Sequence, residues 1–185
     1  MSEIQTWKVL TRVIIYDCPP FLRVEKQTVE LPDGRRIDNY HFIDMPEYCV
    51  VCAITSESQL VLLRGYKHRC GGVTFSLPGG FVEAAELPLA AAKRELREET
   101  GFDAADWISM GSYVPHSNYG CGRVHMYRAS RAQKICHPNS DDLEESKVEI
   151  VSIDNAYNLI AEGEICSLSS VSAISLAIGK GYPEN

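Results

Sequence analysis

Residues 79–102 read GGFVEAAELPLAAAKRELREETGF. Pro88 suits a first helical turn, where a missing N–H costs nothing. The alanines and leucines after it propagate a helix, and Gly101 is a natural residue just past its end. The stretch therefore predicts a loop running into a helix whose last turns carry Glu95, Glu98 and Glu99. A helix C-terminus bears partial negative charge and favours Lys or Arg. Spaced at about 100° per residue from Glu95, Glu98 and Glu99 fall at roughly −60° and +40°. Leu89, Ala92 and Leu96 form an apolar stripe at about +60° to +120°. Glutamate runs on helices are ordinarily solvated, but here the solvent sector belongs to Ala90, Lys93 and Arg97. Like charges at i,i+4, as in Glu95 and Glu99, cost about 0.2–0.5 kcal/mol when exposed, and more as the local dielectric falls. Arg94 reaches Glu98, in the less favourable order for such a pair. Carboxylates gathered beside a core call for a cation, and oxygen-only ligands select Mg²⁺ or Mn²⁺ over zinc. The bare backbone of Pro78-Gly79-Gly80 offers carbonyls as further ligands and leaves room for a phosphate.

Outward from this helix, the chain alternates in the manner of strands. WKVLTRVIIYDC and the two runs around Asp33-Gly34 form a β-rich N-terminal segment, with a hairpin signal at the Asp-Gly pair. YCVVCAIT and QLVLLRGYKH flank a turn at 55–59; WISMGSYV, RVHMYRAS and KVEIVSI are further strands. Residues 154–162 and 167–179 are expected to be helical, the second entered through the hydroxyls of Ser167–Ser170. Many strands with about three helices imply a layered α/β/α or α+β arrangement. Residues 131–147, polar and acid-rich, are expected to form a mobile loop.

The 185 residues suit one domain, or one with an appendage. A formal net charge of −7 argues against nonspecific binding to nucleic acid or an acidic membrane. The chain opens without a signal-peptide pattern and has no apolar run long enough for a membrane helix. Seven scattered cysteines fit a reducing compartment better than a disulfide framework, so a cytoplasmic location is expected. Cys49 and Cys52 on one strand point to opposite faces and read as core. Cys70, Cys121, Cys136 and His137 would make a zinc site only if three loops met.

Gly80, Glu86, Arg94-Glu95-Leu96, Glu98-Glu99 and Gly101-Phe102 carry the spacing of the Nudix box, with Phe102 where an aliphatic residue is usual. PEYCVVCAITSESQLVLLRGYKHRCGGVTFSLPGGFVE before the box and EIVSIDNAYNLIAEGEICSLSSVSAISLA after it extend the likeness. The chain resembles the ADP-ribose pyrophosphatase-type branch of the Nudix hydrolases. The resemblance implies an α/β fold: a Nudix-type α/β/α sandwich with a mixed sheet at 46–185, and an N-terminal β-rich extension at 1–45 that helps build a homodimer. It implies hydrolysis of the diphosphate bond of ADP-ribose or a related nucleoside diphosphate sugar, dependent on Mg²⁺ (or Mn²⁺). By motif position Glu95, Glu98 and Glu99, with the Gly79 carbonyl, would hold the metal. Arg94 would hold the carboxylates in place and Glu86 would support the loop–helix junction. Gly80, Tyr66, Lys67 and Tyr119 are the candidate substrate contacts, the two tyrosines as stacking surfaces.

Three positions depart from the branch. Lys67 stands where Arg is frequent, which loses the planar fork. Ser76 stands where many members have Glu. The loop PHSNYGCG, 115–122, lacks the acid that serves many ADP-ribose hydrolases as catalytic base. The base is then a box glutamate, an acid among Asp141, Asp142, Glu144 and Glu145, or His116. A GDP-mannose or UDP-sugar pyrophosphatase and a non-catalytic nucleotide-binding Nudix module are the alternatives. The intact box disfavours the second, and also an isopentenyl diphosphate isomerase.

Overall fold

The computed structural model describes residues 3–140, 143 and 145–179. The described residues divide into two compact units, one within 3–47 and 114–123, the other within 48–113 and 124–179.

In the first unit β1 (Lys8–Cys18), β2 (Leu22–Glu30) and β3 (Arg36–Asp44) form an antiparallel sheet in the order β1-β2-β3. The β2–β3 turn closes through Gly34 N–H to the Leu31 carbonyl at 2.9 Å, with Gly34 at φ 83°. A left-handed residue there is cheap only for glycine, which is why Asp33-Gly34 signals the hairpin. Segment 114–123 joins this unit by pairing with β3: Ile43 N–H meets the Tyr119 carbonyl at 2.8 Å, and Cys121 N–H meets the Ile43 carbonyl at 2.9 Å.

The second unit is a mixed sheet with helices on both faces. Its strands are β4 (Tyr48–Thr55), β5 (Gln59–Lys67), β6 (Gly72–Ser76), β7 (Phe102–Tyr113), β8 (Val124–Lys134) and β9 (Ser146–Ser152). The order is β6-β5-β4-β8-β7, with β9 paired to β5; β4 and β8 are parallel and the other pairs antiparallel. β4 is apolar without interruption because both its faces are covered. Val50, Cys52 and Ile54 pack with Ala156 of α2 (Ile153–Ala161) and with Ala173, Ile174 and Ala177 of α3 (Leu168–Ile178). Cys49, Val51 and Ala53 pack with Ala91 and Ala92 of α1 (Pro88–Glu95) and with Leu96. Cys49 and Cys52 thus face opposite layers, and burial pushes their thiols up to about 11 and about 12.

Several expectations need correction. The helix after Pro88 is regular only to Glu95; Leu96–Thr100 form a wider π-helical turn, closed by Gly101 at φ 74°. Its buried stripe is Ala91, Ala92 and Leu96, while Leu89 is exposed. β6 is an additional strand, hidden in the sequence by its short length and flanking glycines. The segment expected to be mobile begins as strand, since β8 runs to Lys134. Beyond it, Ile135 and Cys136 donate to the Gly101 carbonyl at 2.8 and 3.1 Å, and Asn139 N–H donates to the Glu98 carbonyl at 2.8 Å. Finally, the seven cysteines are not all thiols: Cys70 and Cys166 form a disulfide.

Candidate active site

Residues 78–81 run alongside the start of β4. The Val51 and Cys49 N–H groups donate to the Pro78 and Gly80 carbonyls, each at 2.9 Å. Chain alternation turns the Gly79 N–H and carbonyl the other way, and there Gly79 N–H donates to Glu99 Oε2 at 2.7 Å. A Cβ on Gly79 would overlap the Cys49 carbonyl, and one on Gly80 would overlap the Glu95 carboxylate. Glycine at 79 is therefore a condition for laying this loop against β4, and Gly80 lets the Glu95 carboxylate close on the backbone.

Arg94 ties the loop to the helix. Its guanidinium reaches Glu86 (3.0 Å), Glu95 (2.7 Å) and Glu98 (3.2 Å), and also the Phe81 carbonyl (3.0 Å). Glu86 in turn accepts from Glu83 N–H at 3.1 Å. The Glu86 carboxyl is held below its ordinary range by Arg94 first, then by that backbone N–H. The guanidinium is held more firmly charged by Glu86, Glu95 and Glu98. Part of the cation demanded by these glutamates is thus supplied by the chain itself, by a residue whose pairing with Glu98 alone looked weak. The resemblance implied that Arg94 holds the carboxylates; helix spacing alone did not give its bond to Glu86, which lies on the preceding loop.

Exposure grades across the glutamates: Glu99 is 9% exposed, the Glu95 side chain 14% and the Glu98 side chain 45%. A cavity of about 500 Å³ is lined by Gly79, Gly80, Arg94, Glu95 and Glu99, with Tyr48 and Phe81. Glu98 lines a neighbouring cavity of about 320 Å³ with Arg97, Cys136 and His137. Among the described residues, no three His, Cys, Asp or Glu side chains converge closely enough to hold a metal ion. The expected convergence is therefore incomplete: Arg94 occupies Glu95 and Glu98, and Glu99 is turned onto the Gly79 N–H. The donors still fit a hard divalent cation in type, since all are oxygens, and the missing Gly80 side chain keeps the approach to Glu95 open.

The remaining candidates are spread more widely. Lys67 and Ser76, two of the positions that depart from the branch, line a third cavity of about 350 Å³ that shares Tyr48, Gly79 and Glu99 with the first. Tyr66 is bonded through its hydroxyl to His68 Nδ1 at 3.0 Å. Tyr119 belongs to the first unit, its ring 4.7 Å from that of His116. Asp141, Asp142 and Glu144 lie outside the described residues, and Glu145 is exposed. Cys70 is spent in its disulfide and makes no zinc site with Cys121, Cys136 and His137. Sequence reasoning missed Tyr48, which lines two of these cavities; its place at the first residue of β4, opposite Phe81, was the available signal.

A family model for the NUDIX domain matches residues 45–167, and one for the nucleoside diphosphate sugar hydrolase N-terminal domain matches residues 7–43. The chain belongs to the Nudix family, and fold and site together define a hydrolase of nucleoside diphosphate-linked substrates. It is 28% identical over 163 residues to a CMP-5'-(N-acetyl-N-hydroxy-3-aminopropyl)phosphonate hydrolase of Streptomyces rubellomurinus, covering 87% of this chain and 77% of that one. It is 25% identical over 150 residues to the ADP-ribose pyrophosphatase of Bacillus subtilis, covering 80% of each. A solved ADP compounds hydrolase shares the fold, with a TM-score of 0.80 at 20% identity over 95% of this chain and 94% of that chain.

Proposed function

We propose that the protein is a Mg²⁺-dependent pyrophosphohydrolase of ADP-ribose or a related nucleoside diphosphate sugar, yielding a nucleoside monophosphate and a sugar phosphate. The observation that carries this reading is the joint between loop and helix. Arg94 gathers Glu86, Glu95 and Glu98 while Glu99 accepts from the Gly79 N–H, with Gly79, Arg94, Glu95 and Glu99 lining one open cavity and Glu98 its neighbour. Glu95, Glu98 and Glu99 with the Gly79 carbonyl would hold the metal. A bound divalent cation neutralises the diphosphate and lowers the pKa of an attacking water. Arg94 keeps Glu95 and Glu98 oriented, Glu86 anchors Arg94, and Gly80 leaves space for the diphosphate. The proton acceptor comes from the box glutamates, of which Glu98 is the most open to solvent.

The lack of an acid in loop 115–122 favours a second reading, another nucleoside diphosphate sugar such as GDP-mannose or a UDP-sugar. The B. subtilis relative bears on the first reading, and the match of residues 7–43 on the second. Incubation with Mg²⁺ and a panel of ADP-ribose, GDP-mannose and UDP-glucose, with identification of the released mononucleotide, separates them. AMP released fastest supports the first reading; GMP or UMP released fastest supports the second. No mononucleotide from any of them contradicts both.

The same reading includes a homodimer built through the N-terminal extension. β1 is an edge strand that leaves Val13, Ile14, Ile15 and Tyr16 each about half exposed, on both of its faces. A run of this kind is a template for pairing, and a second copy of the chain is its proposed cover.

A further inference from the structure

The cavity of about 350 Å³ beside the glutamates has two walls far apart in sequence. One is the 3₁₀ turn His68–Cys70, which places His68 and Arg69 on the cavity just after Lys67. The other is the entry to α3, which contributes Ser167, Ser169 and Ser170. Basic groups on one side and the Ser167–Ser169 hydroxyl pair on the other, with Val50, Phe75 and Leu77 also lining the space, suit an anionic or polyhydroxylated ligand group. Tyr48, Gly79 and Glu99 line both this space and the carboxylate cavity.

The two walls are fixed unequally. The α3 entry hangs on the sheet: Phe75 N–H donates to the Glu164 carbonyl at 2.8 Å, and the Ser170 hydroxyl accepts from Leu77 N–H at 3.1 Å. The 3₁₀ turn has no buried residue of its own. Its link to the opposite wall is the Cys70–Cys166 disulfide, which spans 96 positions with the Cα atoms 6.6 Å apart. Both cysteines are exposed, and exposed disulfides are the ones that exchange with external thiols.

We infer that the Cys70–Cys166 bridge is a redox-sensitive positioning device, holding His68 and Arg69 at the width at which this cavity receives the non-nucleoside half of the substrate. The inference rests on the proposed function, because it takes the carboxylate cavity as the place where the diphosphate is cut. A dithiol opens the bridge in two steps. One thiolate attacks a bridge sulfur, forming a mixed disulfide and releasing one protein thiolate. The second thiol then displaces the other protein sulfur, so the bridge takes up two electrons and two protons while the dithiol becomes a disulfide.

The test has two arms. In the first, ADP-ribose hydrolysis is followed for the native chain, the chain reduced with dithiothreitol, and a C70S/C166S variant. The KM is expected to rise about tenfold on loss of the bridge while kcat stays within about twofold, the signature of lost binding with intact chemistry. In the second, the native chain is exposed to dithiothreitol with and without the non-hydrolysable α,β-methylene analogue of ADP-ribose and Mg²⁺. Opening of the bridge, read by alkylation and mass spectrometry, is expected to slow several-fold when the analogue is bound. An unchanged KM together with an unprotected bridge overturns the inference and leaves the proposed function standing. If the native chain hydrolyses no nucleoside diphosphate compound, the proposed function fails. The inference, which rests on that reading, is then overturned with it.

Discussion

Gly101 shows how much one missing Cβ can decide. Its φ of 74° lies in the left-handed region, and a Cβ there would overlap the Cys136 carbonyl that lies over the helix end. Gly101→Ala should lower stability by about 1–3 kcal/mol, by combining left-handed strain with that overlap; a urea titration measures it. Glu86 carries a pH dependence whose sign follows from its partner. Arg94 lowers the carboxyl in the folded chain, so the pair stabilises above the unfolded value, near 4.5. That stabilisation is lost as pH falls through the lowered folded value. Glu86→Gln should lower stability near neutral pH and flatten its decline on the acid side, as followed by thermal melts at several pH values. The thiols should separate by environment as well. Cys136 is exposed, whereas Cys49 and Cys52 are buried with their thiols pushed up to about 11 and about 12. Iodoacetamide at pH 8 should modify Cys136 first and spare Cys49 and Cys52 until the chain unfolds; peptide mapping reads the order.

At the scale of elements, regular structure was readable where one period held throughout. β4 and β5 announced themselves as apolar runs, and α1 as a proline start with an alanine-rich body. The end of that helix was not readable, because at Leu96–Thr100 the turn widens and the Thr100 hydroxyl bonds the Leu96 carbonyl. A uniform 3.6-residue period cannot represent that change; the buried Ala91 and exposed Leu89, which the expected stripe exchanged, lie before it in the regular part of α1. π-Helical turns of this kind often mark functional positions, and here the turn carries Glu98 and Glu99. The positions and acid–glycine spacing of the candidate site were visible in residues 79–102. Its internal pairing was carried by the resemblance alone, since Arg94 meets Glu86 only once the loop has folded back. The serines before α3 illustrate the same limit: the Ser167 hydroxyl bonds Ser169 at 2.8 Å rather than capping the helix, and Ser170 caps Leu77 N–H across the core.

For the whole molecule, two sheets divide the work the sequence implies. The six-stranded sheet with helices on both faces supports the glutamate-bearing turn, and the three-stranded sheet carries the exposed apolar β1. Ile15→Glu should convert a proposed dimer to a monomer, which sedimentation velocity at micromolar concentration would show. A chain of formal net charge −7 would repel a diphosphate at long range, so the proposed function requires local binding, through the basic cavity wall and a divalent cation. The central claim is that the glutamates of the widened turn hold the metal chemistry. Its most direct measurement is steady-state hydrolysis of the best nucleoside diphosphate substrate by the Glu98→Gln and Glu99→Gln variants in Mg²⁺, with circular dichroism confirming the fold. Each variant should lose about two or more orders of magnitude in kcat. Hydrolysis by both at the parental rate would contradict the account.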